Sequence, residues 1–153
     1  MKSKKRFTWV LVIVMLAYIA IVGVSCMSSP QNIGLVDGKL HPCPSSPNCV
    51  SSQSEQADKK VDPLKYEGDY LAAKKKLKDV LGSLPRMRIV KETEKYLHAE
   101  ATTFFFRFVD DCEFLIDDEH KLIHVRSASR VGHSDLGVNR KRVENIREKF
   151  QAQ

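Results

Sequence analysis

Residues 87–127, MRIVKETEKYLHAEATTFFFRFVDDCEFLIDDEHKLIHVRS, decide the fold. From Arg86 onward apolar side chains recur at every second residue, the period of an extended chain whose side chains alternate between two faces. Met87 to Thr93 reads as a short strand. Lys95 to Val109 reads as a long one, with Leu97, Ala99, Ala101, Phe105 and Val109 on one side and Tyr96, His98, Phe104, Phe106 and Phe108 on the other. Both sides turn apolar towards the phenylalanines. That pattern asks for a cover from the N-terminal loop or a bend, or else marks a groove for an apolar ligand or partner. Asp111 to Asp117 alternates Cys112, Phe114 and Ile116 inward against Asp111, Glu113 and Asp117 outward, and Lys121 to Ser127 supplies a last strand after the turn DDEHK. Connections this short predict an antiparallel meander.

Helices flank these strands. Tyr70, Ala73, Leu77, Val80 and Leu84 recur at three and four residues, an amphipathic helix beginning near Asp69 whose other face carries Lys74, Lys75, Lys76 and Lys78 as a solvated surface. Leu136, Asn139, Val143, Ile146 and Phe150 form a second stripe, interrupted by Asn139, with Ser134 or Asp135 placed to cap its first turn. The order helix, four strands, helix predicts a two-layer α+β domain, a four-stranded antiparallel sheet flanked by two helices.

The N-terminus has a different character. MKSKKR carries four positive charges, and Phe7 to Ser25 then runs almost without a polar residue. This is the pattern of an export signal, though the apolar run is also long enough to span a bilayer, which takes roughly 17 to 25 residues. Two readings stand: a lipoprotein signal in which Cys26 becomes the acylated first residue, with Val24 and Ser25 as the small-residue approach, or an uncleaved membrane anchor. Met27 after Cys26, rather than Asp, favours outer-membrane sorting in a Gram-negative cell, by resemblance to lipoproteins there. Residues 1–26 are therefore read as signal or anchor, 27–40 as a flexible tether and 41–153 as a single globular domain.

The chain's net charge of +6 belongs largely to this leader. Beyond it, 21 basic residues face 19 acidic ones, too even a balance for nucleic-acid binding driven by phosphate neutralisation. The expected partners are the membrane through the N-terminus and an envelope protein or small ligand. Export favours disulfides, and Cys43 and Cys49 in the proline-held loop HPCPSSPNC are the natural pair. A zinc site using both thiols and His41 is the sharper alternative, but the spacing is wide and a second ligand pair is missing. Cys112 lies in an alternating strand as a buried free thiol. No metal or cofactor is expected.

Three stretches carry a family resemblance: CPSSPNCVSSQ at 43–53, VDDCEFLID at 109–117 and VRSASRVGHSDLGVNRKRVENIR at 125–147. In order and spacing over about residues 40–150 they resemble the family catalogued as domain of unknown function 1499, found in bacteria and plastids, with this chain as a bacterial lipoprotein-like member. The resemblance brings no activity with it. Cys112 stands where the family leads one to expect an aliphatic residue, in keeping with a core position.

Chemistry is therefore read from the residues. The densest polar cluster is Arg126, Ser127, Ser129, Arg130, His133, Ser134, Asp135, Asn139 and Arg140, running from a strand end through a Gly132 turn into a helix N-terminus. Unpaired helix N–H groups and arginine forks suit an anion there. Asp110, Asp111 and Glu113 are the competing acceptors: Arg126 or Arg130 can pair with them across neighbouring strands, while Asn139 satisfies a buried backbone group. An enzyme reading makes His133 a general base, Asp135, Asp110 or Asp111 its orienter and Ser129 or Ser134 the nucleophile. No motif of a hydrolase, zinc protease or nucleotide-binding loop supports it, and a metal held by His133, His98 and the acidic pair is weaker still. The expectation is a membrane-anchored cell-envelope protein, periplasmic or on the outer face of the membrane. Its domain binds a partner or a small anionic or amphipathic ligand, without catalysis. A hydrolase centred on His133 and a purely structural envelope lipoprotein are the alternatives.

Overall fold

The computed structural model describes residues 2–152, with side chains described for 9–23 and 28–152. Helix α1 (Lys2–Met27) leads into a hairpin of β1 (Leu35–Val36) and β2 (Lys39–Leu40), then β3 (Cys49–Ser51) and β4 (Leu64–Lys65). After these come α2 (Tyr70–Ser83), β5 (Met87–Glu92), β6 (Tyr96–Thr102), β7 (Val109–Asp117), β8 (Leu122–Ser129) and α3 (Val138–Ala152). The α+β class and the antiparallel meander β5-β6-β7-β8 are as expected. The strand count is not, because the main sheet has six strands rather than four.

Both additional strands pair with β8. Cys49, Val50 and Ser51 of β3 face Ala128, Ser127 and Arg126, while Leu64 and Lys65 of β4 face Ile123 and Leu122 further along the same strand. Between them the Ser52 N–H donates to the Val125 carbonyl at 2.8 Å, and the Ser52 hydroxyl accepts the Val125 N–H at 2.9 Å. Strands of two and three residues are too short to display an alternating pattern, so a proline- and serine-rich stretch read as loop completes the sheet edge. The Cys43–Cys49 disulfide, with Cα atoms 5.6 Å apart, fixes the approach to β3.

A second departure lies between β6 and β7. The single strand expected over 95–109 is broken at 103–108, where the Thr103 N–H donates to the Phe108 carbonyl at 2.8 Å and the Phe108 N–H to the Thr103 hydroxyl at 2.9 Å. Arg107 takes the positive φ of 57° that this turn requires. The sequence TFFFRF contains none of the Gly, Pro or Asn residues that announce turns, and phenylalanine favours strands.

One sheet face and the two C-terminal helices form the apolar core. Leu77, Val80 and Leu81 of α2 and Val143, Ile146 and Phe150 of α3 join Leu97, Phe114, Ile123 and Val125 of the sheet in one cluster. Asp69 caps α2 through the Ala72 N–H. Cys112 is a free thiol buried in the same cluster. Leu136 departs from the expected stripe: it lies before α3, at a φ of 54°, and is 88% exposed.

The opposite face is also buried. Asp111 and Glu113, expected to face solvent, are 3% and 0% exposed. Residues 28–42 cross this face as a strap: the Gly34 N–H donates to Glu113 Oε1 at 2.6 Å, and Leu40 is buried. Preceding the strap, α1 has described side chains over 9–23, about 22 Å of axis at ~1.5 Å per residue. Among the described residues no helix is long and apolar enough to cross a membrane. The side chain of Cys26, the expected lipidation site, lies outside the described residues.

Because the disulfide closes a short loop leading directly into β3, replacing both Cys43 and Cys49 by Ser should lower stability by about 2 kcal/mol on the chain-entropy model. Urea denaturation of the oxidised protein and the double variant measures this.

Candidate functional site

Strand β8 explains why the polar cluster seen in the sequence is not one site. Alternation sends Arg126 and Arg130 to the strapped face, and Ser127 and Ser129 to the helix face. The sheet divides the cluster in two.

On the strapped face Arg126 lies opposite Glu113 in register, and its Nη1 donates to Glu113 Oε2 at 2.7 Å. The Tyr96 hydroxyl donates to the other carboxylate oxygen at 2.7 Å, and burial together with that negative charge pushes the Tyr96 phenol well up. Arg126 is 2% exposed and its Nε–H finds no acceptor among the described residues, a cost of about 1–3 kcal/mol. Arg130 grips Asp111 with two nitrogens, Nε at 2.9 Å and Nη2 at 2.7 Å. It also reaches Glu100 at 2.5 Å and the Ser28 carbonyl of the strap at 3.1 Å. His98 Nε2 lies 2.7 Å from Asp111 Oδ1. Burial alone would raise the Asp111 carboxyl, but hydrogen bonds and charge from Arg130 and His98 outweigh it and hold the group below its usual range. Glu100 is lowered likewise, by Arg130 and Arg88 against its own burial.

On the helix face the centre is Asn139, fully buried in the first turn of α3. Its Oδ1 accepts from the Ser127 hydroxyl at 2.6 Å and from Arg142 Nη1 at 2.5 Å. Its Nδ2 donates to the Asn48 carbonyl and to Ser129 Oγ, both at 2.9 Å. All four hydrogen-bonding positions of the amide are used. Arg142 Nη2 pairs with Asp110 at 2.5 Å. Burial pushes the Cys112 thiol up, so it stays protonated beside Ser127 Oγ at 3.3 Å.

The intervening turn and the first turn of α3 supply the remaining predicted residues. Asp135 caps α3, accepting from the N–H groups of Gly137 at 3.0 Å and Asn139 at 2.8 Å. Arg140 donates to the backbone carbonyls of Lys60 at 2.8 Å and Asp58 at 2.6 Å. His133 and Ser134 are exposed. Among the described residues no carboxylate is hydrogen-bonded to His133, and no group of three or more His, Cys, Asp or Glu side chains is arranged to hold a metal ion.

A cavity of about 550 Å³ opens beside this turn. Phe106, Phe108, Val131 and Val138 line it together with Ala20 and Ile21 of α1, and Thr103, Asp110, Ser129, Ser134 and Asp135 are its polar residues. The nearby arginines are already engaged: Arg142 with Asp110, Arg130 with Asp111 and Glu100, and Arg140 with backbone carbonyls. The helix N-terminus that invited an anion is filled by Asp135.

Sequence reasoning did not single out Arg142, Asn48 or Glu100 as site residues, nor connect α1 to the domain. Arg142 was findable, since it stands three residues after Asn139 on the same helix face. Asn48 offered no such signal, because its partners are distant in sequence: its carbonyl accepts from Asn139 across 91 residues and its Nδ2 donates to the Gly132 carbonyl across 84.

A two-layer α+β domain with both sheet faces buried, one by helices and one by an N-terminal strap, defines the class of protein. The chain belongs to the DUF1499 family, described as proteins of unknown function, whose family model matches residues 39–150. No curated protein matches it.

Two consequences of the strapped face are measurable. Arg126→Met and Glu113→Gln should each cost about 3–5 kcal/mol, since each leaves a buried partner uncompensated, and the double variant should cost less than their sum. Denaturant titration of all four proteins closes that cycle. A carboxylate with a depressed folded pKa stabilises above its unfolded value, near pH 4, and loses that contribution as the pH falls through the folded value. Arg130→Gln weakens the depression at Asp111 and Glu100, leaving only the contributions of His98 and Arg88, so acid unfolding followed by circular dichroism should move to higher pH.

Proposed function

We propose that this protein is a membrane-anchored cell-envelope protein whose domain holds one small amphipathic molecule in the cavity beside the 131–138 turn. The cavity itself carries the reading: apolar walls from Phe106, Phe108, Val131 and Val138, with polar atoms at Asp110 and Ser129. Concave sites with a few fixed polar groups are where small ligands bind. The polar side chains of the lining are the hydroxyls of Thr103, Ser129 and Ser134 and the carboxylates of Asp110, paired with Arg142, and Asp135, which caps α3. With both carboxylates and the arginines already engaged, this lining favours a ligand whose polar end is uncharged and hydrogen-bonding, rather than an anion.

Anchoring is supported by the basic N-terminus and the apolar run Phe7 to Ser25. Ala20 and Ile21 wall the cavity, which favours retention of α1 over its removal by processing at Cys26. The domain then lies on the periplasmic or outer face of the membrane. The lipoprotein alternative is decided by intact mass: loss of residues 1–25 with an acylated Cys26 establishes it. The hydrolase alternative is the less favoured, since among the described residues no acid proposed to orient His133 is hydrogen-bonded to it.

Full-length protein extracted in mild detergent should show, by native mass spectrometry, one additional bound mass. Val138→Trp, which places an indole in the cavity, should lose that mass while keeping its circular dichroism spectrum. An empty native protein, or a mass retained by the folded variant, overturns the assignment, and the first result favours the purely structural alternative.

A further inference from the structure

The 103–108 turn presents three consecutive phenylalanines, and Phe104 and Phe105 are 66% and 69% exposed. Phe106 is less exposed because it also walls the cavity. An exposed aromatic triplet is costly in water, and its surroundings indicate what covers it. The turn lies against α1: the Tyr18 hydroxyl donates to the Phe105 carbonyl at 3.0 Å. Tyr18 stands nine residues before the end of α1 at Met27, so at ~1.5 Å per residue the contact lies about 14 Å back along the helix axis. The phenylalanines are therefore alongside the apolar part of α1 and not at its polar junction with the domain. Any apolar phase that takes up this part of α1 takes up the turn with it.

The charges agree. Arg107 is exposed within the turn, and the Arg86 guanidinium sits 5.5 Å from the centre of the Phe104 ring. The stretch TFFFRF has one positive charge and no negative one. Aromatic rings with flanking arginines suit the boundary between acyl chains and phosphate headgroups. Leu136, 88% exposed on the neighbouring 131–138 turn, adds a further apolar side chain.

We infer that the Phe104–Phe106 turn is a bilayer-inserting tip, seated in the leaflet that holds α1, with the long side chains of Arg86 and Arg107 extending towards the lipid phosphates. This inference rests on the membrane-anchored reading above. It also deepens that reading, because the cavity wall shared by Phe106 and Ile21 then meets the lipid and a ligand enters from the leaflet.

Trp9 is the only tryptophan, so two proteins report separately on anchor and tip. The full chain is reconstituted into vesicles of phosphatidylcholine and phosphatidylglycerol that contain lipids brominated high in the acyl chain. In the native protein, emission from Trp9 reads the anchor. In Trp9→Phe combined with Phe105→Trp, emission reads the tip, and Phe104→Trp in the same background serves if the first variant misfolds. The expected result is blue-shifted emission and strong loss of intensity to brominated lipid in both proteins. Quenching of Trp9 alone overturns the tip and leaves the anchor standing. Quenching in neither protein overturns both. A tip signal that is shifted and shielded only as protein concentration rises, without loss to brominated lipid, assigns the turn to a second copy of the chain and overturns the inference.

Discussion

Arg126 and Arg130, four residues apart on β8, hold the face of the sheet that the apolar core does not use. Each meets a buried carboxylate on β7, Glu113 and Asp111, and Arg130 continues to the backbone of the strap. Charges removed from water this completely are tolerated only when paired and hydrogen-bonded. The strap is part of that condition, because the Gly34 N–H and the Tyr96 hydroxyl take up the Glu113 oxygen that Arg126 leaves. Edge strands, strap and meander are therefore interdependent: remove the cover and two ion pairs enter water, remove the pairs and the cover rests on uncompensated charge.

A second polar network stands between sheet and helix. Asn139 replaces an apolar residue at the centre of the α3 stripe, and the replacement is coherent because every donor and acceptor of its amide is used. Such a network fixes the position of α3 more narrowly than apolar packing alone, since each hydrogen bond has one geometry. The position of α3 in turn sets the 131–138 turn, and with it the cavity. The polar motif that first suggested a ligand site thus acts mainly by placing the walls of one.

Much of this was legible in the sequence where a period ran long enough. The helices at 70–83 and 138–152 and the meander β5 to β8 follow from apolar spacing, and the Cys43–Cys49 pair from compartment and proline-held proximity. Three features were not legible. Strands β3 and β4 are shorter than one alternation. The turn at 103–108 uses residues that favour strands. Asp111 and Glu113 follow an inward-outward pattern that also fits a solvated face, and their burial becomes visible only once residues 28–42 are seen crossing them. The polar stretch from Arg126 to Arg140 was recognised as a unit in sequence, yet strand alternation and the turn that follows distribute its members over two sheet faces, a loop and the first turn of α3.

The strap has one further consequence, for the order in which the chain closes. Its contacts reach far ahead in sequence: Gly34 meets Glu113 across 79 residues and Ser28 meets Arg130 across 102. Synthesis runs from the N-terminus, so the strap is made well before its partners on β7 and β8. The polar face stays open to water until nearly the whole chain has emerged, and contacts of such separation slow the search for the native state. The domain is a late-closing fold, in which an early segment is tied down only after the last strand is in place.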